Sequence, residues 1–228
     1  MKPSLLLFDL DGTLVDSRRD IVAQVNAATA AEGFGAFPDA RVAGLIGRGA
    51  RFLFRELLGP AVPEPRIDAA ILRFKALYAE HMTDTTDAYP GAREALDACR
   101  GVPMAILTNK SQEAADALLA KLGLARHFKA VFGAEAFERR KPDPLPVLEA
   151  CRRLGAPPAR AALIGDSRFD MQAAKGAGAI AVAALWGYGT EEELRKHSPD
   201  IILRNPSEVP TIINGRNGEI RKDTERNG

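Results

Sequence analysis

Two aspartates that stand two residues apart, Asp9 and Asp11, come directly after the apolar run Leu5-Leu6-Leu7-Phe8. A short apolar run of this kind is typical of a strand that helices bury on both faces. Ligands bind to α/β sheets outside the carboxyl ends of such strands. Two carboxylates this close repel each other unless a cation or a donor compensates them. Mg²⁺ is a suitable cation, because it takes oxygen ligands and keeps waters for a phosphate-bearing substrate.

Two other interpretations apply to the same residues. The sequence Asp-x-Asp-Gly, which ends at Gly12, also suits a plain turn, because Asp and Gly both favour turns. An EF-hand calcium loop would need an acid or Asn, a Gly and a Glu where this chain has Thr13, Leu14 and Asp20. The calcium loop is therefore excluded, and the turn stays open from these residues alone.

Further polar residues follow predicted strands later in the chain. They are Thr108 and Asn109 after the run 104–107, Lys141 after the strand 130–132 and a loop, Asp166 after the run 161–164, and Asp170 in the helix that follows. Because the carboxyl ends of parallel strands meet at one edge of a sheet, we expect these side chains to share one mouth with Asp9 and Asp11.

This set of side chains suits phosphoryl transfer. Asp9 is predicted to be the nucleophile, since a carboxylate can take a phosphoryl group as an aspartyl-phosphate. Asp11 is predicted to protonate the leaving alcohol and then to deprotonate the water that clears the intermediate. Thr108 is expected to hold phosphoryl oxygens, and Lys141 to neutralise charge on Asp9 and on those oxygens.

A Mg²⁺ site is predicted among the carboxylates of these strand ends. Asp9, Asp166 and the main-chain carbonyl of Asp11 are expected to hold the ion, which would offset repulsion between carboxylate and phosphate. Asp170 is expected to order a metal-bound water or a neighbouring ligand.

The order of the elements predicts an α/β protein with an insertion. Helices are expected at 17–32, 39–46, 49–58 and 65–82, so that about 70 residues separate the first strand from the next. A βαβ crossover needs only one helix, and we therefore predict an α-helical subdomain at 17–87, with seams near Asp16 and 83–89. From residue 89 the chain alternates strand and helix, which predicts a parallel sheet in a core domain of residues 1–16 and 88–213.

Composition narrows the classes of partner. The chain has 228 residues, 46% of them hydrophobic and 27% charged, which fits a soluble globular protein. Its net charge of +1 gives no electrostatic basis for binding nucleic acid or an anionic membrane. Cys99 and Cys151 are far apart, and no signal peptide or membrane span is visible, so we expect a cytoplasmic monomer or homodimer. The polar segment 214–228 is expected to be a poorly ordered tail.

Four motifs occur in a characteristic order. They are Asp9-Leu10-Asp11-Gly12-Thr13-Leu14-Val15-Asp16-Ser17, Leu107-Thr108-Asn109-Lys110, Lys141-Pro142-Asp143-Pro144 and Ile164-Gly165-Asp166-Ser167-Arg168-Phe169-Asp170. With them the chain resembles the haloacid dehalogenase-like (HAD) hydrolases over residues 5–209, and more specifically their phosphoglycolate phosphatase branch. Two further segments, Tyr89-Pro90-Gly91 and Trp186-Gly187-Tyr188-Gly189, are similar to segments of that branch. The resemblance implies a Rossmann-like core, an α-helical cap inserted after the first strand, Mg²⁺ and an aspartyl-phosphate mechanism.

The substrate is expected to lie between this core and the cap. Gly12, Thr13, Asn109 and Lys110 are candidate substrate-binding residues within the motifs. The cap stretch Ile46-Gly47-Arg48-Gly49 is also similar to the branch, and Arg48 is our candidate to bind a second anion such as a glycolate carboxylate. A solvated arginine at the end of a helix is the alternative for Arg48.

We therefore expect a Mg²⁺-dependent phosphatase for a small phosphorylated metabolite, with 2-phosphoglycolate favoured. Phosphatases for pyrophosphate, sugar phosphates or nucleotides, and a β-phosphoglucomutase-type phosphotransferase, stay open as alternatives because they share the core. A dehalogenase is disfavoured because that chemistry does not need the second acid, Asp11. A non-catalytic binding module is disfavoured because Asp9, Asp11, Lys141 and Asp166 are all present.

Overall fold

A computed structural model describes residues 2–214, and a parallel sheet forms its centre. The strands are β1 (Leu5–Phe8), β2 (Val15–Asp16), β3 (Asp87–Ala88), β4 (Met104–Leu107), β5 (Ala130–Phe132), β6 (Ala161–Gly165), β7 (Ile180–Ala184) and β8 (Ile201–Leu203). Six of them pair in the order β5-β4-β1-β6-β7-β8, and every pair in this sheet is parallel. The predicted α/β, Rossmann-like fold is confirmed.

Helices lie between these strands and after the last of them. They are α1 (Arg18–Ala31), α2 (Asp39–Ala43), α3 (Ala50–Leu58), α4 (Glu64–His81), α5 (Ala92–Ala98), α6 (Gln112–Lys121), α7 (Leu145–Arg153), α8 (Arg168–Gly176), α9 (Glu191–Arg195) and α10 (Val209–Asn214). The bounds of α1–α4 agree with those of the four predicted helices to within three residues. The second helix ends early, at Ala43, ahead of a loop in which Gly47 has a φ of +110°.

The two faces of β1 are buried in different apolar clusters. Leu5 and Leu7 pack in a cluster with residues of α7 and α8. Leu6 and Phe8 pack in the other cluster, with residues of α5 and α6 and of the inserted helices. Because successive side chains of a strand point to opposite faces, a strand covered on both sides must be apolar throughout.

The four inserted helices α1–α4 connect to the sheet through a small antiparallel pair. In this pair, Val15 of β2 lies opposite Ala88 of β3, and Asp16 lies opposite Asp87. The sequence pattern did not predict these strands, because two residues hold no periodicity. The division of the chain into core and cap stays a prediction.

Two expectations concern the C-terminal segment of the chain and membrane-spanning helices. The predicted tail lies outside the described residues, apart from Asn214, which ends α10. Among residues 2–214, no helix is both long and apolar enough to cross a membrane.

A buried carboxylate fixes α1 to the chain segment that returns from the inserted helices. Asp20 accepts hydrogen bonds from the main-chain N–H and the hydroxyl of both Thr85 and Thr86, at 2.6 to 3.1 Å. Burial raises the pKa of Asp20, but these hydrogen bonds outweigh it and hold the pKa below its ordinary value. The ionised form of Asp20 is therefore the one that stabilises the fold.

We expect Asp20→Ala to lower the free energy of unfolding by about 3 kcal/mol, because it removes several charge-assisted hydrogen bonds. Urea denaturation near neutral pH measures the loss. Since the pKa of Asp20 is lowered on folding, its contribution is present above about pH 4 and fades as pH falls further. Asp116→Ala, on the exposed side of α6, is the control. Equal stability of the two variants would contradict this role.

Candidate active site

The buried ammonium of Lys141 lies between two carboxylates at the carboxyl edge of the sheet. Its Nζ is 3.0 Å from Oδ1 of Asp9 and 2.6 Å from Oδ1 of Asp170. Burial lowers the pKa of Lys141, but the charges of Asp170 and Asp9 outweigh it and hold the pKa above its ordinary value. Lys141 therefore stays a cation beside the first aspartate.

Asp9 directly follows β1, and its carboxylate is held at one oxygen. Oδ1 accepts from the main-chain N–H of Leu10 at 2.8 Å and faces Lys141. Asp9 also lines a cavity of about 700 Å³. Burial raises the pKa of Asp9 to about 6, with the charge of Lys141 opposing the rise and that of Asp170 adding to it.

Three carboxylates gather at this edge. One oxygen each from Asp9, Asp166 and Asp170 lies within 4.8 Å of the others, and all three residues are buried. Asp166 accepts from the hydroxyl of Thr13 at 2.9 Å and from the main-chain N–H of Tyr188 at 2.7 Å. Burial, together with the charges of Asp170 and Asp9, raises the pKa of Asp166 to about 8. Three buried carboxylates and the single ammonium of Lys141 leave a deficit of positive charge, which a divalent cation would fill.

Glycines allow the main chain to close around Asp166. Gly12 has a φ of +84°, which favours glycine, and a Cβ there would overlap the carboxylate of Asp166. A Cβ at Gly187 would overlap both Asp166 and the carbonyl of Gly12. Gly12 and Thr13, expected to bind substrate, here contact Asp166, and their role toward substrate stays a prediction.

The carboxylate of Asp11 lies apart from this group. Lys110 Nζ donates to its two oxygens at 2.9 and 3.1 Å, and Ser17 Oγ donates at 2.5 Å. Lys110 also donates to the hydroxyl of Tyr78, on α4, at 2.9 Å. Burial lowers the pKa of Lys110, but the charges of Asp11 and Tyr78 outweigh it and raise the pKa overall.

Comparison with known proteins gives the family. The sequence profile described as haloacid dehalogenase-like hydrolase matches residues 6–184. The chain belongs to the haloacid dehalogenase-like hydrolases.

Relatives of this hydrolase place it in a branch. It is 38% identical over 212 residues to the plasmid phosphoglycolate phosphatase of Cupriavidus necator, covering 91% of this chain and 92% of that protein. It is 35% identical over 210 residues to phosphoglycolate phosphatase 1 of Pseudomonas aeruginosa, covering 89% and 77%. A crystal structure named as a predicted phosphoglycolate phosphatase from Haemophilus somnus 129pt superposes with a TM-score of 0.86 at 27% identity, covering 93% and 98%. The hydrolase is a phosphoric monoester hydrolase of the phosphoglycolate phosphatase-like branch.

Two polar residues follow β4 in this hydrolase; one lines the cavity and the other donates hydrogen bonds to main-chain carbonyls. Thr108 is buried and lines the same cavity as Asp9 and Asp11. The amide of Asn109 donates to the carbonyl of Gly47 at 2.8 Å and to that of Lys141 at 2.9 Å. Asn109 therefore joins the loop before α3 to the segment that carries the catalytic lysine candidate.

Arg48 contacts two aromatic rings and does not line the cavity beside Asp9 and Asp11. Its guanidinium lies 3.6 Å from the ring centre of Phe52 and 5.6 Å from that of Phe169. Among the described residues that line the cavity, Arg48 is absent. Its expected contact with a second anion stays a prediction.

Two tyrosines near Asp11 were not predicted from the sequence. Tyr78 reaches the site from α4 through Lys110, and the hydroxyl of Tyr188 accepts from the main-chain N–H of Ser17 at 2.9 Å. The segment Trp186-Gly187-Tyr188-Gly189 resembles the branch, and that likeness was the available indication of Tyr188. Nothing in the pattern of α4 distinguishes Tyr78 from a core residue.

Proposed function

We propose that this hydrolase is a Mg²⁺-dependent phosphatase that cleaves a small phosphomonoester through an aspartyl-phosphate, with 2-phosphoglycolate as the favoured substrate. The observation that carries the mechanism is Lys141 at 3.0 Å from Asp9, beside the carboxylates of Asp166 and Asp170. The names of the relatives support the choice of substrate.

In the first step, Oδ2 of Asp9 attacks phosphorus, and the bond from phosphorus to the ester oxygen breaks. Asp11 gives its proton to the departing oxygen, so that an alcohol leaves. Lys141 offsets the charge that Asp9 and the phosphoryl oxygens bring together. Lys110 and Ser17 hold Asp11 in place in its ionised form, as in this structure, and the hydroxyl of Thr108 is available to a phosphoryl oxygen.

In the second step, water attacks the phosphorus of the aspartyl-phosphate. Asp11, now ionised, takes a proton from that water, and the bond from phosphorus to Asp9 breaks. Phosphate leaves, and both aspartates return to their starting states. One water is consumed for each ester bond.

Mg²⁺ suits the donor set at this edge of the sheet. Asp9, Asp166 and the main-chain carbonyl of Asp11 would hold it, since all offer hard oxygen ligands. The ion would supply the positive charge that lets a carboxylate approach a phosphate. Asp170 accepts from Ser167 and pairs with Lys141, so it would orient neighbours of the ion.

A screen of phosphorylated metabolites tests the proposal. The purified protein is expected to release phosphate from 2-phosphoglycolate with Mg²⁺ and to lose this activity with a chelator. Turnover without any sugar bisphosphate would separate it from a phosphomutase-type transferase. Absence of phosphate release from every ester in the presence of Mg²⁺ would refute the phosphatase.

We expect Mg²⁺ to raise the melting temperature more at about pH 8 than at about pH 5. The pKa values of Asp9 and Asp166 are raised on folding to about 6 and about 8, so without a cation their burial costs stability progressively as pH rises from 3.8 through that range. Protons compete with the cation at the lower pH. Thermal shift at millimolar Mg²⁺ measures the difference.

The matched variants for this measurement are Asp166→Asn and Asp116→Asn. The first removes a ligand candidate and should abolish the shift, while the second changes an exposed carboxylate of α6 and should keep it. A shift that is equal at both pH values, or that survives in Asp166→Asn, contradicts the assigned site.

A further inference from the structure

The cavity beside Asp9 and Asp11 is much larger than the reaction needs. Its volume is about 700 Å³, and it extends from the two aspartates between the inserted helices and α6. Cavities of about 300 to 1,000 Å³ hold ligands of drug size, whereas a two-carbon glycolate would occupy a small part of such a space. The remaining volume is available to a larger group of a substrate.

The wall of this cavity away from the aspartates is apolar. It is built from side chains of the inserted helices, among them Ile21, Leu53, Phe54, Ile71 and Phe74, with small residues of α6 opposite. The rings of Phe54 and Phe74 are 5.7 Å apart, and those of Phe74 and Tyr78 are stacked at 5.4 Å. This aromatic row leads from the apolar wall to Lys110, which pairs with Asp11.

Charges along the cavity do not favour a second anion inside it. Among the described lining residues, Lys110 is the buried cation, and it is bound to Asp11. Arg51, Lys75 and Arg140 lie at the exposed rim, where Arg51 pairs with acids of α4. A carboxylate placed deep in the cavity would therefore lack a partner, which is costly.

We propose that, besides 2-phosphoglycolate, the protein accepts phosphomonoesters whose uncharged, carbon-rich part, an alkyl or aryl group several carbons long, lies in this cavity while the phosphate lies at Asp9. This substrate class rests on the phosphatase activity proposed above. Each methylene that leaves water for the apolar wall favours binding, and it does so without altering the chemistry at phosphorus.

The test compares ethyl, butyl and hexyl phosphate as substrates of the intact protein with Mg²⁺. Their alcohols have similar acidity and are therefore similar leaving groups. Differences in kcat/KM then report contacts between the alkyl group and the protein. We expect kcat/KM to rise by about threefold for each added methylene. A ratio of hexyl to ethyl phosphate at or below one would overturn the proposal.

Variants locate the effect. Ile71→Ser places a hydroxyl in the apolar wall and should lower the hexyl-to-ethyl ratio by at least about fivefold. Leu148→Ser makes the same kind of change on α7, at a side chain 39% exposed and outside the cavity, and should leave the ratio unchanged. An unchanged hexyl-to-ethyl ratio in Ile71→Ser would show that the alkyl group of the substrate binds outside this cavity.

The same assay separates this proposal from the function on which it rests. If 2-phosphoglycolate is hydrolysed and the alkyl series shows no increase with length, the cavity assignment fails and the phosphatase stands. If no ester is hydrolysed, 2-phosphoglycolate included, both proposals fail together.

Discussion

Asp9→Asn is expected to abolish turnover while leaving the fold intact. The amide of Asn cannot take a phosphoryl group, and the change also removes the charge that faces Lys141. Loss of a nucleophile lowers kcat by about 10⁴-fold or more in enzymes whose groups act as a unit. Phosphate release at saturating substrate measures kcat, and circular dichroism checks the fold.

A matched control separates the loss of the nucleophile from a loss of charge elsewhere. Asp97→Asn makes the same change on the exposed side of α5, where Asp97 pairs with Arg100, and should keep full activity. Intact-mass analysis must show that Asn at position 9 has not deamidated back to Asp. Wild-type turnover in a homogeneous Asp9→Asn sample would remove Asp9 from the role of nucleophile.

Lys141→Ala is expected to lower both activity and stability. Its removal leaves the buried carboxylates of Asp9 and Asp170 without their shared cation, and breaking a buried ion pair in this way costs about 3 to 5 kcal/mol. Turnover should fall by about 10³-fold, since a preorganised charge at the phosphoryl group is lost. Urea denaturation and steady-state kinetics measure the two losses separately.

The stability loss should depend on pH in a defined direction. The charge of Lys141 lowers the pKa of Asp9, so its removal raises that pKa, and protonation at about pH 5 should relieve part of the deficit seen at about pH 8. Lys175→Ala, which breaks an exposed pair with Asp200, should cost less than about 1 kcal/mol at either pH. Equal losses for the two lysines would mean that Lys141 has no special electrostatic role.

The strands of the sheet could be predicted from local pattern because each is a short apolar run with a distinct end. β1, β4 and β5 lie where the sequence places them, and β6 extends one residue further than predicted, to Gly165. β2 and β3 escaped prediction because their pairing joins residues more than 70 positions apart over two rungs only. Such a contact leaves no periodicity in either segment.

The catalytic candidates could be predicted because each follows a strand, and the parallel sheet sets their common edge. Their partners could not be predicted in the same way. Lys110 was expected to meet substrate, yet its ammonium contacts Asp11 and Tyr78, residues 99 and 32 positions away. The contact with Asp11 follows from the parallel pairing of β1 with β4. The contact with Tyr78 depends on where α4 lies beside the end of β4, which no local pattern of residues describes.

The glycines around Asp166 have a consequence for anyone who wishes to redesign this enzyme. Gly12 and Gly187 lie so close to Asp166 that a larger residue at either position would displace the side chain of Asp166. The cavity wall formed by α4 includes the side chains of Ile71, Leu72 and Phe74. Directed libraries aimed at new leaving groups should therefore randomise α3 and α4 and keep the loops around Asp166 fixed.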